Sequence, residues 1–154
     1  MHYGEVFAAW SNLAGCYGMI AGYQTFYNHA GDDDLKKIIE ELIQGAKNEV
    51  DQLERLLKSN GVGLPPAAPE RPEARLEHIP PGARFNDPEI SAALSLDAAK
   101  SLVAYSTAMG SSTREDIAMM YAQFHMAKAQ IGYKLLRLNK QKGWLIPPPL
   151  HFHH

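Results

Sequence analysis

Residues 6–31 read VFAAWSNLAGCYGMIAGYQTFYNHAG, a stretch without a single Asp, Glu, Lys, Arg or Pro. On a helical wheel Val6, Ala9, Leu13, Cys16, Ile20, Tyr23 and Tyr27 share one stripe. Nearly opposite lie Ala8, Ser11, Gly15, Gly18, Gly22 and Thr25, a stripe of small residues. A helix that is uncharged all round, bulky on one face and small on the other, is expected to be covered on both sides. Its length would also suit a membrane span, which needs about 20 apolar residues, and Gly18-x-x-x-Gly22 has the spacing of a membrane packing motif. Against that reading, Ser11, Asn12, Gln24, Thr25, Asn28 and the glycines keep the hydropathy modest, and no basic cluster flanks either end. The stretch therefore reads as the central helix of a bundle that does not enter a membrane.

With 154 residues the chain is long enough for one domain with a sizeable core. A net charge of -2 and the absence of a basic patch give no reason to expect nucleic acid as a partner. A lone cysteine excludes an internal disulfide and suits a reducing cytoplasm. No charged leader followed by a short apolar run opens the chain, so no signal peptide is expected.

Outward from the uncharged stretch, the first helix covers about 3–29, with Ala30-Gly31 as its stop. Asp32-Asp33-Asp34 opens a second helix over 33–59, whose apolar period runs through Leu35, Ile39, Leu42, Ala46, Leu53 and Leu57 to Asn60-Gly61. So short a turn makes these two helices antiparallel neighbours. Residues 61–86 carry Pro65, Pro66, Pro69, Pro72, Pro80 and Pro81, which rule out a continuous helix. Extended, that segment can return along the whole bundle. Asp87 as cap and Pro88 as first helical residue open a third helix over 88–109. Ser112-x-x-Glu115 reads as a capping box for a fourth over 113–141, and residues 143–154 form a tail. The connections are short, long, short. That pattern predicts an all-α, single-domain four-helix bundle of two antiparallel hairpins joined by a Pro-rich crossover, the connectivity of ferritin-like folds.

Several segments resemble one family. Asp32 to Leu35, Gly63-Leu64-Pro65, Arg84-Phe85-Asn86-Asp87, Ser112-x-Arg114-Glu115-Asp116-Ile117 and Lys142-Gly143-Trp144-Leu145-Ile146-Pro147-Pro148 together are similar to ferritin-like proteins of spore-forming bacteria related to spore coat proteins (coat-F-like). The resemblance covers nearly the whole chain and implies the single-bundle form, a place in the cytoplasm or spore coat, and other coat proteins as partners. It implies no established reaction and no cofactor.

Ferritin-like bundles commonly hold two metals through Glu and Glu-x-x-His ligands on facing helices. No Glu-x-x-His occurs here. Glu49, Asp97 and His125 are the candidate ligands for a metal ion, since with equal helices they fall, with Cys16, within about two turns of one layer. A buried carboxylate needs donors in any case. Glu49 and Asp97 partly exposed or hydrogen-bonded to tyrosines and serines, with a satisfied interior His125, is the competing and preferred reading. Cys16 has no activating neighbour in its own helix and reads as a small buried residue. The His-containing tail, Leu150 to His154, reads as a frayed end rather than a metal site. Two functions remain to be weighed: a structural or interaction protein forming a homodimer through Ala8, Ser11, Gly15, Gly18, Gly22 and Thr25, and a metal-binding oxidase or storage protein. The crossover is the other segment able to cover the small-residue face, and an apolar core can also open into a small-ligand pocket.

Overall fold

The computed structural model describes residues 1–153; His154, the last residue of the tail, lies outside them. Four helices build the fold: α1 (Tyr3–His29), α2 (Asp33–Ser59), α3 (Asp87–Ser111) and α4 (Glu115–Gln141). Two single-turn 3-10 segments, Leu76–His78 and Pro81–Ala83, punctuate the crossover. Among the described residues there is no strand, and no helix is long and apolar enough to cross a membrane.

The ends of the bundle give its topology. At one end the Gly31 N–H donates to Asp87 Oδ1 at 2.8 Å, joining the α1–α2 turn to the start of α3. Lys142, just past α4, bridges Asp32 and Asp34 at 3.0 Å each at that same end. At the other end Glu5 of α1 meets the α3–α4 turn. So α1 and α4 run one way, α2 and α3 the other. Each hairpin packs most heavily on itself, and the hairpins meet as α1 on α3 and α2 on α4. All four neighbouring pairs are antiparallel, and the crossover travels the full length of the molecule.

The crossover lies along α1 and α2. Gln24 Oε1 accepts the Arg71 N–H at 2.8 Å, and Asn28 one turn later accepts the Ala74 N–H and donates to the Pro72 carbonyl. Phe85 stands edge-on to Phe26 and His29, and Lys47 pairs with Glu70. The two polar residues in the second half of the uncharged helix are thus a rail for a segment whose prolines give it few donors of its own. This routing leaves the middle of the small-residue face open: Gly15 and Gly18 are exposed, while Ala8, Ser11, Gly22 and Thr25 are half-buried. Of the two covers expected for that face, the crossover reaches only its last turn, where Ala83 and Phe85 meet His29 and Phe26, and α1 is not enclosed on both sides within the described chain.

Three helix ends depart from expectation. Gly31 does not take the left-handed conformation, because α1 stops with Ala30 in extended backbone; the left-handed glycines are Gly61 and Gly143, which close α2 and α4. Helix α3 starts one residue early, capped by Asn86 in a box with Glu89, which frees Asp87 for Gly31, and it runs through Gly110 to Ser111. The box expected at Ser112 does not form. Ser112 Oγ donates back to the Ala108 carbonyl, and α4 begins at Glu115 with no cap from its own segment.

The cap of α4 comes instead from α1. Glu5 Oε2 accepts the N–H groups of Thr113 and Arg114 at 3.1 Å each, while Oε1 accepts that of His2 at 2.9 Å. One carboxylate therefore caps two helices whose starts are far apart in sequence. Burial alone would raise its pKa; the three backbone donors outweigh that and hold Glu5 below the usual carboxylate value. Glu5 sits at the rim, covered by its own donors rather than sunk among core atoms. Glu5→Gln is expected to lower stability in urea by about 1–2 kcal/mol near neutral pH. Because the folded pKa is depressed, this stabilisation is present above the unfolded carboxylate value of about 4.3 and fades as pH falls through the folded one. The variant should therefore lose less stability than the parent on acidification below that value.

Candidate functional site

The apolar core comes in two halves. One contains Leu13, Leu53, Leu57, Tyr121 and Phe124; the other contains Tyr23, Leu35, Ile39, Leu42, Leu94 and Leu135. Between them lies a polar layer with one contribution from each helix: Cys16 of α1, Glu49 of α2, Tyr105 of α3 and Lys128 of α4. The placement follows from helical spacing. Glu49 sits on the α2 stripe between Ala46 and Leu53, and Lys128 on the α4 stripe between Phe124 and Ile131. Both charged residues are buried, at 4% and 3% exposure.

Glu49 Oε2 accepts two hydrogen bonds, from the Tyr105 hydroxyl at 2.6 Å and from the Cys16 thiol at 3.3 Å. The thiol and hydroxyl are themselves 4.0 Å apart. Burial pushes the Cys16 thiol well up, the Glu49 carboxylate adds to that, and Lys128 offsets only part of it. Cys16 is thus held as a neutral thiol that donates to Glu49. Tyr105 is raised likewise, first by burial and then by Cys16 and Glu49. The Lys128 ammonium makes no hydrogen bond or ion pair among the described residues, although it shares a cavity with Glu49.

The candidate ligands do not meet. Asp97 is half-buried and takes the Tyr23 hydroxyl at 2.6 Å, on the side where α1 meets α3. His125 is half-buried on α4, one position off the core stripe. Among the described residues no three His, Cys, Asp or Glu side chains gather as a metal would require. The layer also suits a two-metal centre poorly on its chemistry. It offers one carboxylate, a neutral thiol and a phenol, and the ammonium of Lys128 would face any dication across the same cavity. No step is assigned to a metal here.

A second feature lies on the surface. Gly15, Gly18 and Gly22 of α1, with Ala93, Leu94 and Asp97 of α3, line an open groove of about 430 Å³. Ala8, Ser11, Gly22 and Thr25 are half-buried along it. On the same two helices Phe7, Trp10, Leu96 and Val103 are exposed. Glu5 is the one carboxylate of α1, and it is buried.

Three residues of weight escaped the sequence reading: Tyr105, Lys128 and Asn139. Lys128 sat as a gap in an apolar stripe, and Asn139, buried, bonds Ser91 and Ser95 across α3–α4. A lysine at a core position of the α4 period was the available signal. Tyr105 and Tyr121 differ in a way that is testable. The Tyr105 hydroxyl serves Glu49, whereas the Tyr121 hydroxyl is buried with no hydrogen bond, and burial pushes that phenol up to about 12. Tyr105→Phe is expected to destabilise by about 2 kcal/mol, because it strips a donor from a buried carboxylate. Tyr121→Phe should be neutral or stabilising by up to about 1 kcal/mol. Chemical denaturation of the two variants decides it; equal losses would deny the layer its role.

Comparison with known proteins places this chain among relatives that share it end to end. It is 56% identical over 156 residues to the uncharacterized protein YvdQ of Bacillus subtilis (strain 168), covering all of this chain and 92% of that one. The crystal structure of a "putative spore coat protein" of Bacillus halodurans C-125 is 62% identical, with a TM-score of 0.96 over 99% of this chain and 96% of that one. A conserved hypothetical protein, rv2844, of Mycobacterium tuberculosis shares the fold alone, at 13% identity and a TM-score of 0.73 over 90% of this chain and 98% of its own. The family model for the proteins of unknown function designated DUF3231 matches residues 1–154, and the chain belongs to that family.

Proposed function

We propose that this chain is a structural subunit rather than an enzyme: a ferritin-like bundle that pairs with a second copy of itself through α1 and associates with the spore coat. The observation that carries self-association is the α1–α3 face. It offers a glycine-floored groove and bulky apolar side chains on the same two helices, with no exposed carboxylate on α1. Such a face is complementary to itself under a two-fold rotation. An axis passing near Ala14 would set Trp10 of one copy against Gly18 of the other, and Phe7 against Gly22. Asp97, tied to Tyr23, is the one charged residue lining the groove, and an apolar patch of this kind on a lone bundle would be a liability in solution.

The coat assignment is supported by the Bacillus halodurans protein, similar over nearly the whole length. The polar layer supports the absence of a reaction. Its thiol is neutral, its carboxylate is engaged, and it lacks a second carboxylate to complete a metal centre. The metal-binding oxidase or storage reading has no observation in its favour.

Light scattering on a sizing column at micromolar concentration is expected to give a dimer. Gly18→Arg should give a monomer of undiminished helicity, since nothing lies within 4 Å of a Cβ at that position and arginine is the better helix former by up to about 1 kcal/mol. A monomeric parent would overturn self-association. For the coat, a fluorescent fusion expressed in a sporulating bacillus should form a shell around the forespore; diffuse signal in the mother cell would overturn that assignment.

A further inference from the structure

We infer that the cavity between α2 and α4, beside Glu49 and Lys128, is a binding site for a small zwitterion, a molecule of about glycine's size with one carboxylate and one ammonium group. The cavity holds about 90 Å³ and is lined by Gly45, Glu49, Gln52, Gln123, Phe124 and Lys128 among others. That is room for several waters or for a handful of heavy atoms.

Its two ends carry opposite and unfinished charges. Lys128, 97% buried by its 3% exposure, has three N–H donors and no acceptor among the described residues. Glu49 has both its hydrogen bonds on Oε2, which leaves Oε1 without a donor. The two are too far apart to form an ion pair, yet they line the same space. Neither the ammonium nor Oε1 is sealed off, since the Tyr121 hydroxyl is the buried unpaired atom of the described residues; both open onto the cavity, so an occupant that replaces water there accepts from Lys128 and donates to Glu49. Charge decides its class. Glu49 and Lys128 together are neutral, so an anion or a cation alone would leave a net charge inside the bundle, whereas a zwitterion leaves none and makes a charge-assisted bond at each end.

The mouth is suited to entry. Gly45 stands there with no atom within 4 Å of where a Cβ would be, and the side-chain amides of Gln52 and Gln123 flank the opening. The site does not depend on the coat assignment or on self-association.

Thermal unfolding in the presence of glycine, acetate and methylammonium tests it. Glycine should raise the melting temperature saturably, by about 5 °C at a hundredfold excess over its Kd. Acetate and methylammonium, each supplying half the recognition, should bind at least tenfold more weakly. Lys128→Met should abolish the glycine shift. Gly45→Leu should do the same by closing the mouth, with both charges intact and a better helix former in place. No saturable shift with glycine, an undiminished shift in Gly45→Leu, or glycine-soaked crystals showing only waters in the cavity would each overturn the proposal.

Discussion

A carboxylate buried midway along an apolar bundle must be given donors, and supplying Glu49 sets the register of all four helices. Its partners come from α1 and α3, and the compensating charge from α4. Sliding α1 by a turn would put Leu13 or Ile20 where the thiol donates, and sliding α3 would withdraw the Tyr105 hydroxyl from the carboxylate. Apolar contacts on either side of the layer tolerate such slips far better, because area burial has no direction. The two apolar halves therefore supply the larger share of the stabilisation, while the layer selects a single alignment. Buried polar groups are known to serve this way in coiled coils.

The ends of the bundle repeat the principle with less burial. Glu5 ties the start of α1 to the start of α4, and Asp87 and Lys142 tie the opposite end together. Each of these contacts joins elements far apart in sequence, so the helices gain their caps only when the bundle is assembled. Local helix formation and global docking are consequently coupled, which favours one cooperative structure over loosely associated helices. The crossover follows the same logic, since its prolines leave it unable to form structure unless Gln24 and Asn28 are already presented on a formed α1.

How much of this could be read from the chain alone depended on whether the determining contacts were local. The bounds of α1 and α2, the long crossover and the two-hairpin connectivity were legible, because helical period and proline placement are properties of neighbouring residues. The start of α4 was not. Ser112 and Glu115 have the spacing of a capping box, but α3 runs on to Ser111 and draws Ser112 back onto its last turn, and a carboxylate more than a hundred positions away takes the Thr113 and Arg114 N–H groups instead. The central layer was half legible. Glu49 and Cys16 lay on their stripes, whereas Asp97 and His125 shared the level along the axis but not the direction, a distinction that matching levels alone does not make. Lys128 was passed over because a lysine amid apolar residues ordinarily carries its charge out to solvent. Here Lys128 is 97% buried as a residue and its ammonium opens onto the cavity between α2 and α4 instead of the outer surface of α4.

Charge in this chain is therefore arranged against the usual order: present at the centre, and all but absent from one outer face. The two departures bear on each other. An apolar core facing an apolar surface would give α1 little to distinguish inside from outside, since its glycine face and its leucine face are both uncharged. The thiol bond to Glu49 makes that distinction, because only one rotation of α1 brings Cys16 to the carboxylate. With that rotation fixed, Gly15, Gly18 and Gly22 are turned outward, where the uncharged face of α1 is open to another apolar surface. The buried polar layer is thus what allows the outer face to be apolar without the helix rolling over to hide it.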